Sequence, residues 1–136
     1  MGLPARTHIV YFQQNPVPKE LEVLLGKLTG LSLCFEEIEP TLHTPAGIEI
    51  WHQKRPKDSI IIDWISDQTR ICVRVWSETL HINYLEASTL YLLKQLGGRI
   101  KDDYPLPVWA GKSWADAWPR SPLARMKAWW NGTLPA

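Results

Sequence analysis

Histidines are the first candidates for acid–base or metal chemistry in this chain. They are His8, His43, His52 and His81. None of them forms an HxxxH or HxH pair, the spacings that place two ligands on one metal ion. His52 and His81 lie in strand-like segments, where they would act in catalysis only by meeting Asp63 or Glu49 in a pocket. Because scattered strand histidines are more often surface or hydrogen-bonded core residues, we predict no catalytic residue and no metal site.

Clustered carboxylates are the second source of acid–base chemistry. The segment CFEEIE offers Glu36, Glu37 and Glu39, of which only Glu37 and Glu39 would share one face of a strand. We interpret them as a solvated sheet edge. The chain contains no GxSxG, phosphate-loop or GxGxxG motif, and the pair Gly97 and Gly98 follows a helix, whereas phosphate-binding loops precede one. The sequence therefore predicts no cofactor and does not favour an enzyme.

The elements that would position these residues begin with a strand and a helix. Residues 7–14, THIVYFQQ, are rich in β-branched and aromatic side chains, which predicts a strand. In the following PKELEVLLGKLTG, the four leucines at 21, 24, 25 and 28 share one face of a helix. Pro18 suits the first turn of that helix, and Gly30 suits its end.

The middle of the chain, residues 31–77, alternates apolar and polar residues with the period of a strand. Its strand-like segments are LSLCFEEIE, GIEIWHQ, SIIIDWIS and TRICVRVWS. The third segment is apolar on both faces except at Asp63, which predicts a central strand. A two-residue link joins segments 60–66 and 69–77, and this spacing predicts a hairpin.

A second helix is predicted over YLEASTLYLLKQLGG, which ends at the glycine pair. The remainder is punctuated by prolines. SPLARMKAWWNG, residues 121–132, predicts a third helix, capped by Ser121 with Pro122 in its first turn. GKSWADAW predicts a short helical turn with Trp114 and Trp118 on one side.

Consecutive antiparallel strands with helices on one face predict an α+β two-layer sandwich. The predicted sheet is mainly antiparallel, in β-α-β(3-4)-α order, and a Trp-rich C-terminal tail with a short helix follows it. The 136 residues fit one domain, 1–136, in which residues 1–98 form the core and the Pro/Trp-rich residues 99–136 pack on it. The order resembles the helix-grip and TATA-binding-protein-like architectures, a resemblance of topology that does not imply a function.

Charge and hydropathy narrow the class of partner and the compartment. The net charge of +1 argues against a nucleic-acid or anionic-membrane partner. No segment is apolar and long enough for a signal peptide or a bilayer span, so we predict a cytoplasmic protein. Cys34 and Cys72 each lie in a predicted strand and are interpreted as small buried hydrophobes, although a disulfide between them is left open.

Tryptophan is the most unusual feature of the composition, because five of the eight lie between residues 106 and 130. Trp51 and Trp76 are out of frame with the apolar stripes of their strands, on a predicted open face shared with Arg74. Aromatic side chains and arginine are enriched at recognition surfaces. The candidate binding residues are Trp51, Arg74, Trp76, Trp109, Trp114 and Trp118. Alternatively, the tail tryptophans cover those of the sheet, since exposed aromatic patches are rare in monomers.

The leading interpretation is a non-catalytic interaction protein of the immunity or inhibitor kind. It would bind another protein, or itself as a homodimer, through the Trp-bearing sheet face or the C-terminal tail. The alternative is a small-molecule-binding, helix-grip-like domain, at most a weak enzyme, with an apolar cavity. The candidate lining residues of that cavity are Trp64, His81, Tyr84 and Tyr91.

Overall fold

The computed structural model of the chain describes residues 6–13, 18–43, 45–53, 55–64, 70–76 and 82–117. Within these ranges the strands are β1 (Arg6–Tyr11), β2 (Leu33–Ile38), β3 (Gly47–His52), β4 (Arg55–Trp64), β5 (Arg70–Trp76) and β6 (Arg99–Ile100). The helices are α1 (Pro18–Thr29), α2 (Tyr84–Gln95) and the short α3 (Trp114–Ala117), with a 3₁₀ turn at Lys101–Asp103. None of these described helices is long and apolar enough to cross a bilayer.

All six strands form one antiparallel sheet in the order β2-β3-β4-β5-β1-β6. The predicted α+β class with an antiparallel sheet is therefore confirmed. The predicted pairing of segments 60–66 and 69–77 is confirmed as well, because Ile62 of β4 lies opposite Val73 of β5. β4 lies inside the sheet, as expected for a strand that is apolar on both faces.

The hydrophobic core lies between one face of the sheet and the two long helices. Its strand residues are Val10, Ile48, Ile50, Ile60, Ile62, Ile71, Val73 and Val75, all buried. The register aligns them across the strands, so that Ile50, Ile60 and Val75 form one continuous row. Leu25 of α1 and Leu90 of α2 belong to the same buried cluster, which places both helices on this face.

Helix α1 follows the leucine spacing seen in the sequence. Leu21 and Leu25 are buried at 2% and 1% exposure, whereas Val23 on the opposite side is 53% exposed. The hydroxyl of Thr29 donates to the carbonyl oxygen of Leu25 at 2.8 Å and closes the last turn. Gly30 then adopts a φ of +70°, a conformation that favours glycine, and ends the helix.

Helix α2 is fixed at its start by a reciprocal cap. The Asn83 side chain accepts from the Glu86 backbone N–H at 2.7 Å, and the Glu86 carboxylate accepts from the Asn83 backbone N–H at 3.3 Å. All residues from Tyr84 to Leu90 are buried, so this helix is covered on more than its sheet-facing side. The helix is followed by Gly97 at a φ of +99°.

Strand β6 was not predicted, because a two-residue strand carries no periodic signal. Ile100 lies opposite Val10, and Arg99 lies opposite Tyr11. The chain can approach β1 closely at this point because Gly98 has no side chain. The predicted third helix, residues 121–132, lies outside the described residues.

Replacing Gly98 by alanine should destabilise the fold. A Cβ at this position would lie 2.6 Å from the Val10 side chain and 2.8 Å from the Leu93 carbonyl oxygen. Since Leu93 offers backbone, relief requires a shift of the chain, and we expect a loss of about 1–3 kcal/mol in the free energy of unfolding. Urea denaturation measures this loss.

The matched control is Gly26→Ala in α1, where a Cβ would meet nothing within 4 Å. Alanine is the better helix former, so this variant should gain about 0.5–1 kcal/mol. Equal urea midpoints for the two variants would contradict the packing described around Gly98.

Candidate binding face and a buried charged cluster

The sheet has a second face, which points away from the core because alternate residues of a strand point to opposite sides. We call it the second face. On strands β3, β4 and β5 it carries, among others, Glu49, Trp51, Ser59, Ile61, Arg74 and Trp76. In the part of the chain that the structure describes, α1 and α2 contribute their apolar side chains to the opposite face.

Two tryptophans lie in one row on the second face, near one end of strands β3 and β5. Trp51 lies directly opposite Ser59, and Ser59 lies directly opposite Trp76, so the two indoles flank one small residue in a single cross-strand row. Both indoles are partly exposed, whereas Ser59 is buried at 6%. The Ser59 hydroxyl donates to the Glu49 carboxylate at 2.9 Å. This row is the most aromatic part of the described sheet surface.

An ion pair holds the arginine of the second face in place. Arg74 donates from Nε to one oxygen of Asp63 at 2.7 Å and from Nη2 to the other at 3.2 Å. The Asp63 side chain is 10% exposed and that of Arg74 is 35% exposed. A bidentate contact fixes the plane of the guanidinium. The structure thus brings Trp51, Arg74 and Trp76, three of the predicted binding residues, onto one face.

The described tail tryptophans lie elsewhere. Trp109 stacks on Tyr84 of α2 with ring centroids 6.1 Å apart, and Trp114 meets the same ring edge-on at 5.3 Å. Leu31 and Ala117 complete this cluster. The described members of the predicted binding set therefore divide into two groups. One group lies on the second face, and the other packs against Tyr84 of α2. Trp118 lies outside the described residues.

Two tyrosines of α2 hold this part of the tail. The Tyr84 hydroxyl donates to the Lys112 carbonyl oxygen at 2.7 Å. Burial raises the pKa of Tyr84 to about 12, so the hydroxyl stays protonated and keeps donating at neutral pH. The ring of Tyr91 lies against Gly111, where no side chain would fit. Tyr84 and Tyr91 therefore act in packing the described tail onto the helix.

The residues of the alternative pocket are not gathered in one place. Trp64 packs against the main core cluster, whereas Tyr84 belongs to the separate cluster with the tail tryptophans. Trp64 lines a cavity of about 450 Å³, together with the connection between β2 and β3. His81 lies outside the described residues.

The cysteines are both free and both point to the second face. Cys34 lies on β2 and Cys72 on β5, with two strands between them. Three strand spacings of about 4.8 Å each separate them, which exceeds the Cα distance of about 7 Å that a disulfide can bridge. A disulfide between Cys34 and Cys72, left open by the sequence, is therefore incompatible with this sheet.

A buried charged cluster joins β1 to α2, and sequence reasoning missed it. Glu86 is 0% exposed. It accepts three hydrogen bonds from Arg6, Nε to Oε2 at 2.8 Å and to Oε1 at 3.1 Å, and Nη2 to Oε1 at 2.6 Å. His8 Nε2 lies 2.8 Å from the same Oε2, and the ring of Tyr104 meets the His8 ring edge-on at 4.6 Å. The capping pattern at Asn83 and Glu86 was visible in the sequence, but its partners lie about eighty positions away.

The electrostatics of this cluster favour its charged form. Burial by itself would raise the pKa of Glu86, but hydrogen bonds from His8 and Arg6 and the charge of Arg6 outweigh burial, so the pKa lies below its ordinary value. The hydrogen bond to Glu86 also raises the pKa of Arg6. Both Glu86 oxygens are occupied by these partners. We therefore interpret the cluster as an anchor between strand and helix, not as a proton donor.

In the part of the chain that the structure describes, no three His, Cys, Asp or Glu side chains lie close enough together to hold a metal ion. Comparison with known protein families, with curated proteins and with solved structures finds no match. The function must therefore be inferred from the geometry of this chain.

The charged cluster predicts a specific pH dependence. Since the folded-state pKa of Glu86 is lowered, its contribution to stability is present above its unfolded pKa of about 4.3 and disappears as the pH falls through the folded value. Thermal melts of the wild type and of Glu86→Gln should therefore differ most near neutral pH. The difference in melting temperature should shrink below about pH 4.

Near neutral pH we expect Glu86→Gln to lose about 3–5 kcal/mol, because the buried His8 and the partly buried Arg6 would be left without the carboxylate. A difference in melting temperature that stays constant from pH 7 to the acid limit would contradict an ionised Glu86.

Proposed function

We propose that this chain is a non-catalytic protein-interaction domain and that the second face is its contact surface. The single observation that carries the proposal is the row formed by Trp51, Ser59 and Trp76. Two partly exposed indoles in one row, next to Arg74, match the residue types that dominate binding energy at protein interfaces. The proposed mechanism is occlusion, in which a partner is inhibited because this face covers its working surface.

The rigidity of the face supports the proposal. A surface on the central strands of a six-stranded sheet has little backbone freedom to lose on binding. Asp63 already fixes Arg74, and Glu49 already engages Ser59. Binding therefore incurs less ordering cost here than on a loop.

The second face is a better candidate than the described tail. The indoles of Trp109 and Trp114 are engaged by Tyr84. Using them for a partner would require the described tail to leave α2 and to break the hydrogen bond from Tyr84 to Lys112. Trp51 and Trp76 require no such rearrangement of the described elements.

We propose the cytoplasm as the place of action. Cys34 and Cys72 are free and lie too far apart to pair with each other. Unpaired thiols on a sheet surface fit a reducing compartment better than an oxidising one.

Removing the two indoles should weaken binding strongly. The wild-type chain, immobilised on resin, is used to capture a partner from an extract of its source cells, and the purified partner is then titrated calorimetrically. For Trp51→Ala/Trp76→Ala we expect at least about a 30-fold weaker Kd, which is the loss of about 2 kcal/mol typical of one interface anchor.

The matched control is Phe35→Ala. Phe35 is an aromatic residue that is 50% exposed, but its register with Ile50 places it on the opposite face. This variant should bind as the wild type does. Equal affinity of the double variant and the wild type would show that the partner uses another surface.

A second candidate function, small-molecule binding, is favoured by one observation at Trp64. Trp64 lines the cavity of about 450 Å³, and its buried indole N–H has no acceptor among the described residues. The other described lining residues include Pro40, Leu42 and Pro45. A small, largely apolar molecule with one carbonyl oxygen would suit such a cavity, provided that the Trp64 ring turns its buried N–H toward the cavity when the molecule binds.

A thermal-shift series with small cyclic amides tests this candidate. The melting temperature should rise with ligand concentration and then saturate. Trp64→Phe keeps an aromatic ring but removes the N–H, and should reduce the shift. A melting temperature that no amide changes would rule out this use of the cavity.

A further inference from the structure

We propose that strand β2, at one end of the sheet, binds an extended basic segment of a partner protein as an additional strand. This inference goes beyond the proposed function, because the edge of the sheet and the second face are different surfaces. It follows from the free hydrogen-bonding side of β2 and from the carboxylates that flank this strand on both faces of the sheet.

Strand β2 has a neighbour on one side only. It stands at the end of the sheet order, and among the residues that the structure describes it pairs with β3 alone. In such a strand every second residue directs its backbone N–H and C=O away from the sheet. Over its six residues, β2 therefore offers an extended chain a hydrogen-bond ladder of ordinary strand length. At the opposite end of the sheet, β6 has only two residues.

The side chains of β2 leave this edge accessible. Phe35 is 50% exposed, and Glu36 and Glu37 are exposed as well. Since successive residues of a strand point to opposite faces, β2 is open to water on both faces of the sheet. One strand further in this changes, because Ile50 of β3, directly opposite Phe35, is fully buried.

On the side of the second face, the edge carries two carboxylates next to each other. Glu36 lies directly opposite Glu49 on β3, and like charges in a cross-strand pair are destabilising. Ser59 gives Glu49 a neutral donor, but in the part of the chain that the structure describes no cation forms a salt bridge with either carboxylate. A cation brought by a partner would relieve this repulsion.

On the side of the core, the edge has a second pair of carboxylates. Glu37 lies opposite the buried Ile48, so it belongs to the face that carries α1. Burial and the nearby charge of Glu37 raise the pKa of Glu22 in α1, so these two carboxylates are close enough to repel each other. Negative charge therefore flanks β2 on both faces, although the net charge of the chain is +1.

This charge determines which occupant the edge favours. Charged edge strands oppose edge-to-edge pairing of identical chains, and β2 paired with β2 would bring the same carboxylates close together. A foreign strand with Lys or Arg at the positions that face Glu37 and Glu36 has the complementary charge. An apolar residue at the next position would pack on Phe35. The occupant is therefore an antiparallel segment in which two basic residues precede an apolar one, bound by strand addition.

A synthetic peptide tests this arrangement. In acetyl-Thr-Lys-Arg-Val-Thr-Val-amide, the lysine would face Glu37, the arginine would face Glu36, and the first valine would face Phe35. An NMR titration of the labelled wild-type chain should show saturable binding, with shift changes concentrated at β2. The same peptide with glutamine in place of both basic residues should bind at least about tenfold more weakly, because the charge pairs are lost.

Two variants of the chain locate the contact. Glu37→Lys should weaken binding of the basic peptide at least about tenfold, and a peptide with glutamate in place of its lysine should then bind this variant better than the original peptide does. A folding defect would not be repaired by exchanging the peptide. The matched control is Asp103→Lys, which makes the same change of charge at an exposed residue beside β6 and should leave binding unchanged.

Backbone pairing has a readout that charge alone does not affect. Two peptides N-methylated at alternate residues carry the same side chains, but only one of them loses the amides that face β2. That peptide should not bind, whereas the other should bind as the unmodified peptide does. Amide hydrogen exchange should slow at alternate residues of β2 when the unmodified peptide is added.

Three outcomes would overturn the inference. They are no binding of the basic peptide, equal binding of both N-methylated peptides, and amides of β2 that become protected without peptide as the chain is concentrated, which would identify a second copy as the occupant. Phe35→Ala separates this site from the proposed function. It should weaken the peptide but not a partner of the second face, whereas Trp51→Ala/Trp76→Ala should weaken that partner strongly.

Discussion

The hydrogen-bond register of β3, β4 and β5 is the constraint on which the rest of the structure depends. It places Ile50, Ile60 and Val75 in the core row and, one residue along each strand, Trp51, Ser59 and Trp76 in the outer row. A slip of one residue would exchange the two faces of a strand. Burying Ile60 and Val75 at 0% exposure opposes any such slip. The hydrophobic core therefore determines which tryptophans reach the second face.

The register fixes the strands relative to one another, and the charged cluster at Glu86 fixes helix α2 relative to the sheet. The first half of helix α2 exposes little surface to water, since the residues from Tyr84 to Leu90 are all buried. A buried carboxylate is tolerated only with partners, and Arg6 and His8 of β1 are those partners. They attach the helix to the sheet at a defined position. The opposite side of α2 is then free to receive Trp109 and Trp114 at Tyr84.

Periodicity within short segments of the sequence predicted which helices and strands form and which residues share a face of each. The leucines of α1, the alternation through β4 and β5, and the shared frame of Trp51, Arg74 and Trp76 follow from periodicity. The bidentate contact of Arg74 with Asp63, and Glu36 lying opposite Glu49, depend on register. Periodicity does not specify register. Strand β6, with two residues, carries no pattern at all. The residues predicted to line one apolar cavity do not come together, because Trp64 and Tyr84 belong to different clusters of the core. Periodicity does not show which elements pack against each other.

We propose that this chain contacts another protein through the second face, whether a second copy or a different one. Site-specific photo-crosslinking tests it most directly. A photoreactive benzoylphenylalanine in place of Trp51 should form a covalent adduct with the bound protein under irradiation. The same residue in place of Phe35, on the opposite face, should not. Crosslinking from position 35 without crosslinking from position 51 would contradict the account.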